Sequence, residues 1–318
     1  MSAAIGFVGL GSMGAPMAAN LAAAGHALHC HDAAGSAARM PPGAQSHEAP
    51  RTLAAAADTV FLSLPDGHAC AAVMESLIAA PARRVRTVID LSTVGVAAAQ
   101  RLSADAAAAG IDYVDAPVSG GHAGAVAGTL TLMWAGSATA FAAHAPLLER
   151  IARRLFRVGD RPGQAQALKL LNNFLSATAL AATSEAVCFG LSQGLSMQAI
   201  IEVLNVSTGC NTATSDKFPN RILTGSYDAG FHTALMAKDL ALYDAGVRAA
   251  GSAHAIGALM AGIWADADAA LPGSDFTRIF DFVRQAYEPR QSSTNSSRPS
   301  DSIEGAGASV SAGRRSSE

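Results

Sequence analysis

Cysteine is scarce in this 318-residue chain, aromatic residues make up only 5%, and charged residues 15%. Cys30, Cys70, Cys188 and Cys210 lie far apart and form no CxxC pair, which excludes a disulfide framework or zinc site and points to a reducing compartment. The nine histidines, scattered from His26 to His254, have no metal-ligand spacing, so no metal is expected. Lys and Arg number 22 against 25 Asp and Glu, a net charge of -3 that supplies no basic field for nucleic acid. Arg150, Arg153, Arg154, Arg157 and Arg161 do cluster, but at the end of an expected helix and along the next strand, where they read as a solvated face. No stretch reaches the ~18 consecutive apolar residues of a membrane span. The N-terminus has no charged leader ahead of its first apolar run. The expectation is a cytoplasmic, or at most organellar, protein with neither nucleic acid nor membrane as a partner.

Half of the residues are apolar, enough for a substantial core, and the length suggests about two domains. From Ala3 to about Val158, β-prone runs alternate with alanine-rich stretches, the pattern of a parallel sheet covered by helices. Strands are predicted at Ile5 to Val8, Ala27 to His31, Thr59 to Leu64, Thr87 to Asp90, Tyr113 to Ala116, Leu130 to Trp134 and Leu155 to Val158. Helices fit at Ser12 to Ala24, Val96 to Ala109 and Ala138 to Arg153. After Gly163 the β-prone runs disappear. Gln164 to Gln193, free of proline, predicts one helix of roughly 45 Å at 1.5 Å per residue, and further helices are suggested at Met197 to Val206, Leu235 to Ala250 and Ala253 to Asp268. The fold class expected is α/β: a Rossmann-like doubly wound sheet over residues 1–162, then an all-helical domain over 163–288. Residues 289–318, rich in Ser, Gly, Arg and Asn, are expected to be a disordered tail.

Gly9-Leu10-Gly11-Ser12-Met13-Gly14 sets a GxGxxG pattern directly after a strand and before a helix. In that context Gly9 permits the tight turn, Gly11 lets backbone approach a pyrophosphate, and Gly14 lets the helix pack on the sheet. Asp32 ends the second strand about 20 residues further on, where an acid can accept hydrogen bonds from the adenosine ribose. Its charge would repel a 2′-phosphate, and Ala33 rather than an arginine follows. The cofactor predicted is therefore NAD over NADP. Leu64-Pro65-Asp66 and Asp90-Leu91-Ser92-Thr93 end two later strands on the same sheet edge; in isolation they are ordinary turn and cap sequences.

Oxidising an alcohol by hydride transfer also requires a group to take the hydroxyl proton. Lys169 is the candidate, with Asn172 and Asn173 three and four residues on and so on its helix face, amid Leu168, Leu170, Leu171, Phe174 and Leu175. A tandem Asn pair in a leucine-rich helix asks for a reason, since asparagine is a mediocre helix former. Lys169 is read as the acid/base, with Asn173 fixing its position and the substrate's. Partial burial would lower its pKa towards the working pH. The stretch from Asp115 to Leu130, holding Ser119, Gly120 and Gly121, offers a hydroxyl and backbone amides suited to a carboxylate; composition alone supports a plain loop equally well.

Four segments, GFVGLGSMGAPMAANL from Gly6, DAPVSGG from Asp115, KLLNN from Lys169 and KDL from Lys238, resemble the β-hydroxyacid dehydrogenase family. That family includes 3-hydroxyisobutyrate dehydrogenase and tartronate semialdehyde reductase and is related to 6-phosphogluconate dehydrogenase. The resemblance, over about Ala4 to Tyr287, implies a Rossmann-like domain followed by a helical domain that also makes the oligomer, a homodimer or homotetramer. It implies catalysis by Lys169 with Asn173, and substrate contacts from Ser119, Gly120 and Gly121, to which Asn172 is added here. Cofactor contacts would come from Leu64, Pro65, Thr93 and Lys238; without the resemblance, Lys238 reads as a solvated lysine. One departure is Ala165, where the family commonly has a second glycine before its lysine. Ser207 to Thr212 resembles a variable, substrate-facing part of the family but reads more simply as a loop. The function expected is NAD-dependent oxidation of a small 3-hydroxy acid, with an NADP-linked reductase of a small aldehyde or imine, or a non-catalytic NAD-binding sensor or scaffold, as alternatives.

Overall fold

The computed structural model describes residues 4–292, with side chains to residue 286. The first part of the chain runs β1 (Ile5–Val8), α1 (Gly14–Ala23), β2 (Leu28–His31), β3 (Gln45–Ser46), α2 (Pro50–Leu53), β4 (Thr59–Leu62), α3 (Gly67–Ile78), β5 (Thr87–Asp90) and α4 (Val96–Ala108). It continues with β6 (Asp112–Asp115), β7 (Val118–Ser119), α5 (Gly121–Ala127), β8 (Leu130–Ala135), α6 (Ala138–Leu148) and β9 (Ala152–Gly159). Helices follow: α7 (Gln164–Ser192), α8 (Met197–Asn205), a π-helical stretch (Ala213–Ile222), α9 (Thr233–Ala249), α10 (Ala255–Ala270), a 3₁₀ turn (Phe276–Arg278) and α11 (Ile279–Ser292).

The nine strands form one sheet in the order β3-β2-β1-β4-β5-β6-β8-β7, with β9 beside β8. β1 to β6 are parallel neighbours, but β8 runs antiparallel to β6 and to β7. The sheet is thus mixed rather than wholly parallel: β7 and β8 are joined by only the short α5, too little chain to cross back over the sheet. Side chains alternate between its faces. Phe7 and Ile89 join Met17, Leu21 and Trp134 on one side, while Val8 and Leu62 join Met74 and Leu102 on the other.

α7 is the spine of the helical half. Gly163, at φ +90°, caps its start, and along its length Leu180 and Val187 bury against Phe218, Leu240 and Trp264. By length and composition it is the one helix among the described residues that is apolar enough to cross a membrane, and here it packs against α9 and α11. Ala165, the departure from the family's glycine, is fully buried against Met133 and Ala135.

Several elements differ from the expectation. The helix predicted to Arg153 stops at Leu148, and the chain enters β9 at Ala152, because Leu148, Ile151 and Ala152 fill the core beneath the sheet. The glycine-rich stretch after Ser119 contains α5, ended by Gly128 in the left-handed conformation. The π-helical stretch, with Pro219 inside it, occupies a region with no predicted element; a proline's missing N–H disrupts regular α-helical bonding, so periodicity gave no signal there. α11 continues to Ser292, into the segment expected to be disordered from Pro289, since Ile279 and Phe280 anchor it in the core and helix propagates readily from a formed turn. The rest of that segment lies outside the described residues.

Candidate active site

β1 and β2 end side by side, which brings the glycine loop and Asp32 together: Gly9 N–H donates to the His31 carbonyl at 2.9 Å. Gly9 has φ +93°, and a Cβ there would overlap the Ser63 carbonyl oxygen; a Cβ on Gly14 would overlap the carbonyl oxygen of Gly9. Gly11 is different, because nothing lies within 4 Å of where its Cβ would be. Gly9 and Gly14 serve the protein's own packing, and Gly11 faces open space. Asp32 accepts from Leu10 N–H at 2.7 Å and Ala34 N–H at 2.8 Å, and Arg39 Nη1 stands 3.7 Å from its Oδ1.

A cleft of about 640 Å³ runs from this loop between the sheet edge and the helices, walled by Gly11, Asp32, Leu64, Thr93, Ser119 and Lys169 among others. The open side of Gly11 and the carboxylate at the end of β2 suit a dinucleotide's pyrophosphate and ribose, so these residues fit the cofactor expected from them. Lys238, from α9, donates to the Pro65 carbonyl at 3.0 Å and the Thr93 carbonyl at 2.7 Å, tying together the strand-end loops that line the same cleft.

At the other end Lys169 Nζ donates to Asn173 Oδ1 at 3.1 Å, and Asn173 Nδ2 donates to Asp239 Oδ2 at 2.6 Å. Asp239 also pairs with Lys238 at 3.1 Å. All of Lys169, Asn173 and Asp239 are buried. Burial holds the Lys169 ammonium below the usual lysine range and Lys238 adds repulsion, while the Asp239 carboxylate acts in the opposite sense. Asn172, half-buried, donates to the same Asn173 oxygen at 3.1 Å.

Ser119 sits on β7, followed by Gly120 and Gly121 at φ +134° and +65°. His122 Nδ1 lies 2.7 Å from the Ser12 carbonyl; as that oxygen only accepts, the ring nitrogen donates and joins the loop after Ser119 to the glycine loop. Of the residues singled out from the sequence, Gly9, Gly11, Ser12, Met13, Gly14, Asp32, Leu64, Pro65, Thr93, Ser119, Gly121, Lys169 and Lys238 wall the cleft; Leu10, Gly120, Asn172 and Asn173 do not. Asp239 was missed, although it sits in the KDL segment noted for its lysine. Phe231 and His232, at the start of α9, also wall the cleft and carried no motif.

A glycine loop, a strand-end acid and a buried amine around one cleft are the makings of a dinucleotide-dependent oxidoreductase. Residues 4–159 match the family described as the NAD binding domain of 6-phosphogluconate dehydrogenase, and residues 163–283 the NAD-binding domain of NADP-dependent 3-hydroxyisobutyrate dehydrogenase. The chain is 38% identical over 242 residues to 2-(hydroxymethyl)glutarate dehydrogenase of Eubacterium barkeri, covering 75% of this chain and 80% of that one. It is 36% identical over 289 residues to 3-hydroxyisobutyrate dehydrogenase of Pseudomonas aeruginosa, covering 86% and 96% respectively. The solved 3-hydroxyisobutyrate dehydrogenase of Mycobacterium tuberculosis with L-serine superimposes with a TM-score of 0.81 at 34% identity, over 89% of this chain and 100% of that one. The chain belongs to the β-hydroxyacid dehydrogenase family.

Proposed function

We propose that this cleft interconverts a small 3-hydroxy acid and its semialdehyde or ketone, with Lys169 as the acid/base. The chain is an NAD-linked oxidoreductase of small hydroxy acids, and the proposal concerns which residues do the work. NAD, when bound, supplies the hydride acceptor. The loop Gly9-Leu10-Gly11-Ser12-Met13-Gly14 would take its phosphates along the open side of Gly11, with Gly9 and Gly14 packing the loop and Leu10 buried behind it; Asp32 would take its ribose, and Leu64, Pro65, Thr93 and Lys238 would complete the grip.

In the oxidation Lys169 takes the hydroxyl proton as a free amine; in the reduction its ammonium returns that proton. Desolvation makes the free amine accessible closer to neutral pH, and Asp239 keeps that amine basic enough to accept the proton. Asn173 accepts from Lys169 with its oxygen and donates to Asp239 with its nitrogen, so its amide cannot flip without breaking both bonds. Ser119 and the Gly121 amide, which wall the cleft, hold the substrate carboxylate, with Gly120 giving their loop its turn, while Asn172, outside the cleft wall, supports the site through its bond to Asn173.

The observation that carries this reading is the buried run Lys169–Asn173–Asp239, whose lysine walls the same cleft as Gly11. A homodimer or homotetramer is the proposed assembly, supported by Leu171, Leu175 and Phe189 lying exposed on α7. The domain division proposed is 1–162 and 163–288. Replacing Lys169 with alanine should lower NAD reduction by roughly 10²- to 10⁴-fold, the usual weight of an acid/base group, while NADH fluorescence titration gives a near wild-type Kd. Substantial residual turnover refutes the assignment. A panel of small hydroxy acids followed by NADH absorbance identifies the substrate.

A further inference from the structure

The start of α7 is keyed into the sheet by two buried side chains outside the cleft. Asp115, the last residue of β6, accepts through Oδ2 from Gly163 N–H at 3.2 Å and Gln166 N–H at 3.1 Å. Gln166 in turn accepts through Oε1 from Val94 and Gly95 N–H at 2.9 and 3.2 Å, and donates to the Ser92 carbonyl at 3.0 Å. The helix turn that precedes Lys169 is thereby tied to the strand leading into Ser119 and to the loop carrying Thr93.

Asp115 is an unfavourable way to make such a tie. It is fully buried, its Oδ1 has no hydrogen-bond partner, and among the described residues no cationic side chain pairs with it. A neutral acceptor would satisfy the same two amides, since leaving a charge buried and half-solvated costs more than it returns. What the carboxylate adds is charge at the N-terminus of a 29-residue helix, where an anion strengthens the hold.

We propose that Asp115 is a positioning residue whose ionised carboxylate locks the first turn of α7, and so sets the place of Lys169 for proton transfer. This rests on the reading of Lys169 as the acid/base. Burial pushes the Asp115 carboxyl up to about 6, against the opposing pull of the Gln166 and Gly163 amides. The ionisable groups facing it are Asp90 on β5, itself raised by burial, the Tyr113 hydroxyl on β6, and beyond them Cys70 on α3. Tyr113 and Cys70, both raised by burial, stay neutral as pH falls through 6, whereas Asp90 relieves its repulsion of Asp115 when it takes up a proton, which spreads the Asp115 titration without reversing it.

The direction of the pH effect separates Asp115 from Lys169 itself. In the reductive direction acid pH favours the Lys169 ammonium, so that group cannot cause a loss of rate on the acid side. Protonation of Asp115 does, and kcat for NADH-dependent reduction should fall below about pH 6 and level off about fivefold lower, the depth set by losing the charge on the two hydrogen bonds. Asp115→Asn should remove that acid limb and lower kcat at pH 8 by about fivefold, the weakening expected when two charge-assisted hydrogen bonds become neutral, with the Kd for NADH unchanged. A merely structural Asp115 predicts otherwise. Because burial raises its folded pKa above the ordinary aspartate value, its ionised form destabilises the fold as pH rises through about 6, so Asp115→Asn should melt no lower than wild type at pH 8.

Infrared titration of the protein without cofactor supplies a readout independent of turnover: the difference between wild type and Asp115→Asn should show one protonated carboxyl band growing in below about pH 6. An acid limb that persists in Asp115→Asn, or a wild-type reduction rate that stays flat down to pH 5, overturns the proposal. If the variant fails to fold, the wild-type profile and its infrared titration still decide. A dead Lys169→Ala with an unaltered Asp115→Asn profile refutes this inference alone, whereas an active Lys169→Ala refutes the reading beneath it.

Discussion

At one end of the cleft the glycine loop and Asp32 come from a single β-α-β unit, packed by backbone against backbone at Gly9 and Gly14. At the other, Lys169, Asn173 and Asp239 converge from α7 and α9, joined by side-chain hydrogen bonds across buried space. The first end is held by sterics at Gly9 and Gly14, where added atoms break it. The second is held by charge and hydrogen bonding, so a change of charge with no change of shape retunes it.

The largest effect falls on the steric end. Gly14→Ala forces a Cβ onto the Gly9 carbonyl oxygen, where neither side is a flexible chain end, so the variant should melt well below wild type and bind no NADH. Gly11→Ala meets nothing in the protein, and its melting point should stay at the wild-type value. It should nevertheless weaken NADH binding roughly 10- to 100-fold by intruding where the pyrophosphate needs backbone. If both variants lose stability equally, the distinction between packing glycines and a ligand-facing glycine fails. Calorimetry with fluorescence titration makes the comparison.

Asp239→Asn tests the electrostatic end and should act more mildly on the fold. The amide oxygen still accepts from Asn173, but the anion that favours the Lys169 ammonium is removed while the Lys238 charge remains. The Lys169 pKa therefore falls further, and the acid limb of the oxidation profile should move to lower pH. In the reduction, which needs the ammonium, the rate at pH 8 should drop, by up to about tenfold for every pH unit that the limb moves. An oxidation limb that stays in place shows that Asp239 does not tune Lys169.

The same contrast explains what the sequence disclosed. The glycine spacing and Asp32 are legible because a local unit leaves all its signals within one short stretch. Lys169 and Asn173 were legible because one helix turn places both. Asp239 was not, since only the tertiary packing of α9 on α7 gives its carboxylate a partner, and beside Lys238 it looks like an ordinary surface pair. Gln166 and Asp115 are ordinary residues until the fold buries them against the same loops. The π-helical stretch left no periodic trace, and the reversal of β8 depends on α5, hidden in glycines that composition reads as loop.

Arg39 gives the smallest effect and bears on the one part of the steric end that is electrostatic. Asp32 carries the charge that would repel a 2′-phosphate and Ala33 rather than an arginine follows it, yet folding carries Arg39 to 3.7 Å from the Asp32 carboxylate. The arginine side chain is 48% exposed, so the pair stabilises the fold by under about 1 kcal/mol and Arg39→Ala should melt near wild type. With NAD, kcat/KM should stay within about twofold, because Asp32 keeps its bonds from Leu10 and Ala34. NADP is the informative substrate: if Asp32 takes the ribose as proposed, an arginine beside it is the cation that tolerates a 2′-phosphate. Any NADP-linked rate of the wild type should therefore fall several-fold in Arg39→Ala, widening the preference for NAD. An equal loss with both cofactors would mean that Arg39 only supports the loop, and that discrimination rests on Asp32 alone.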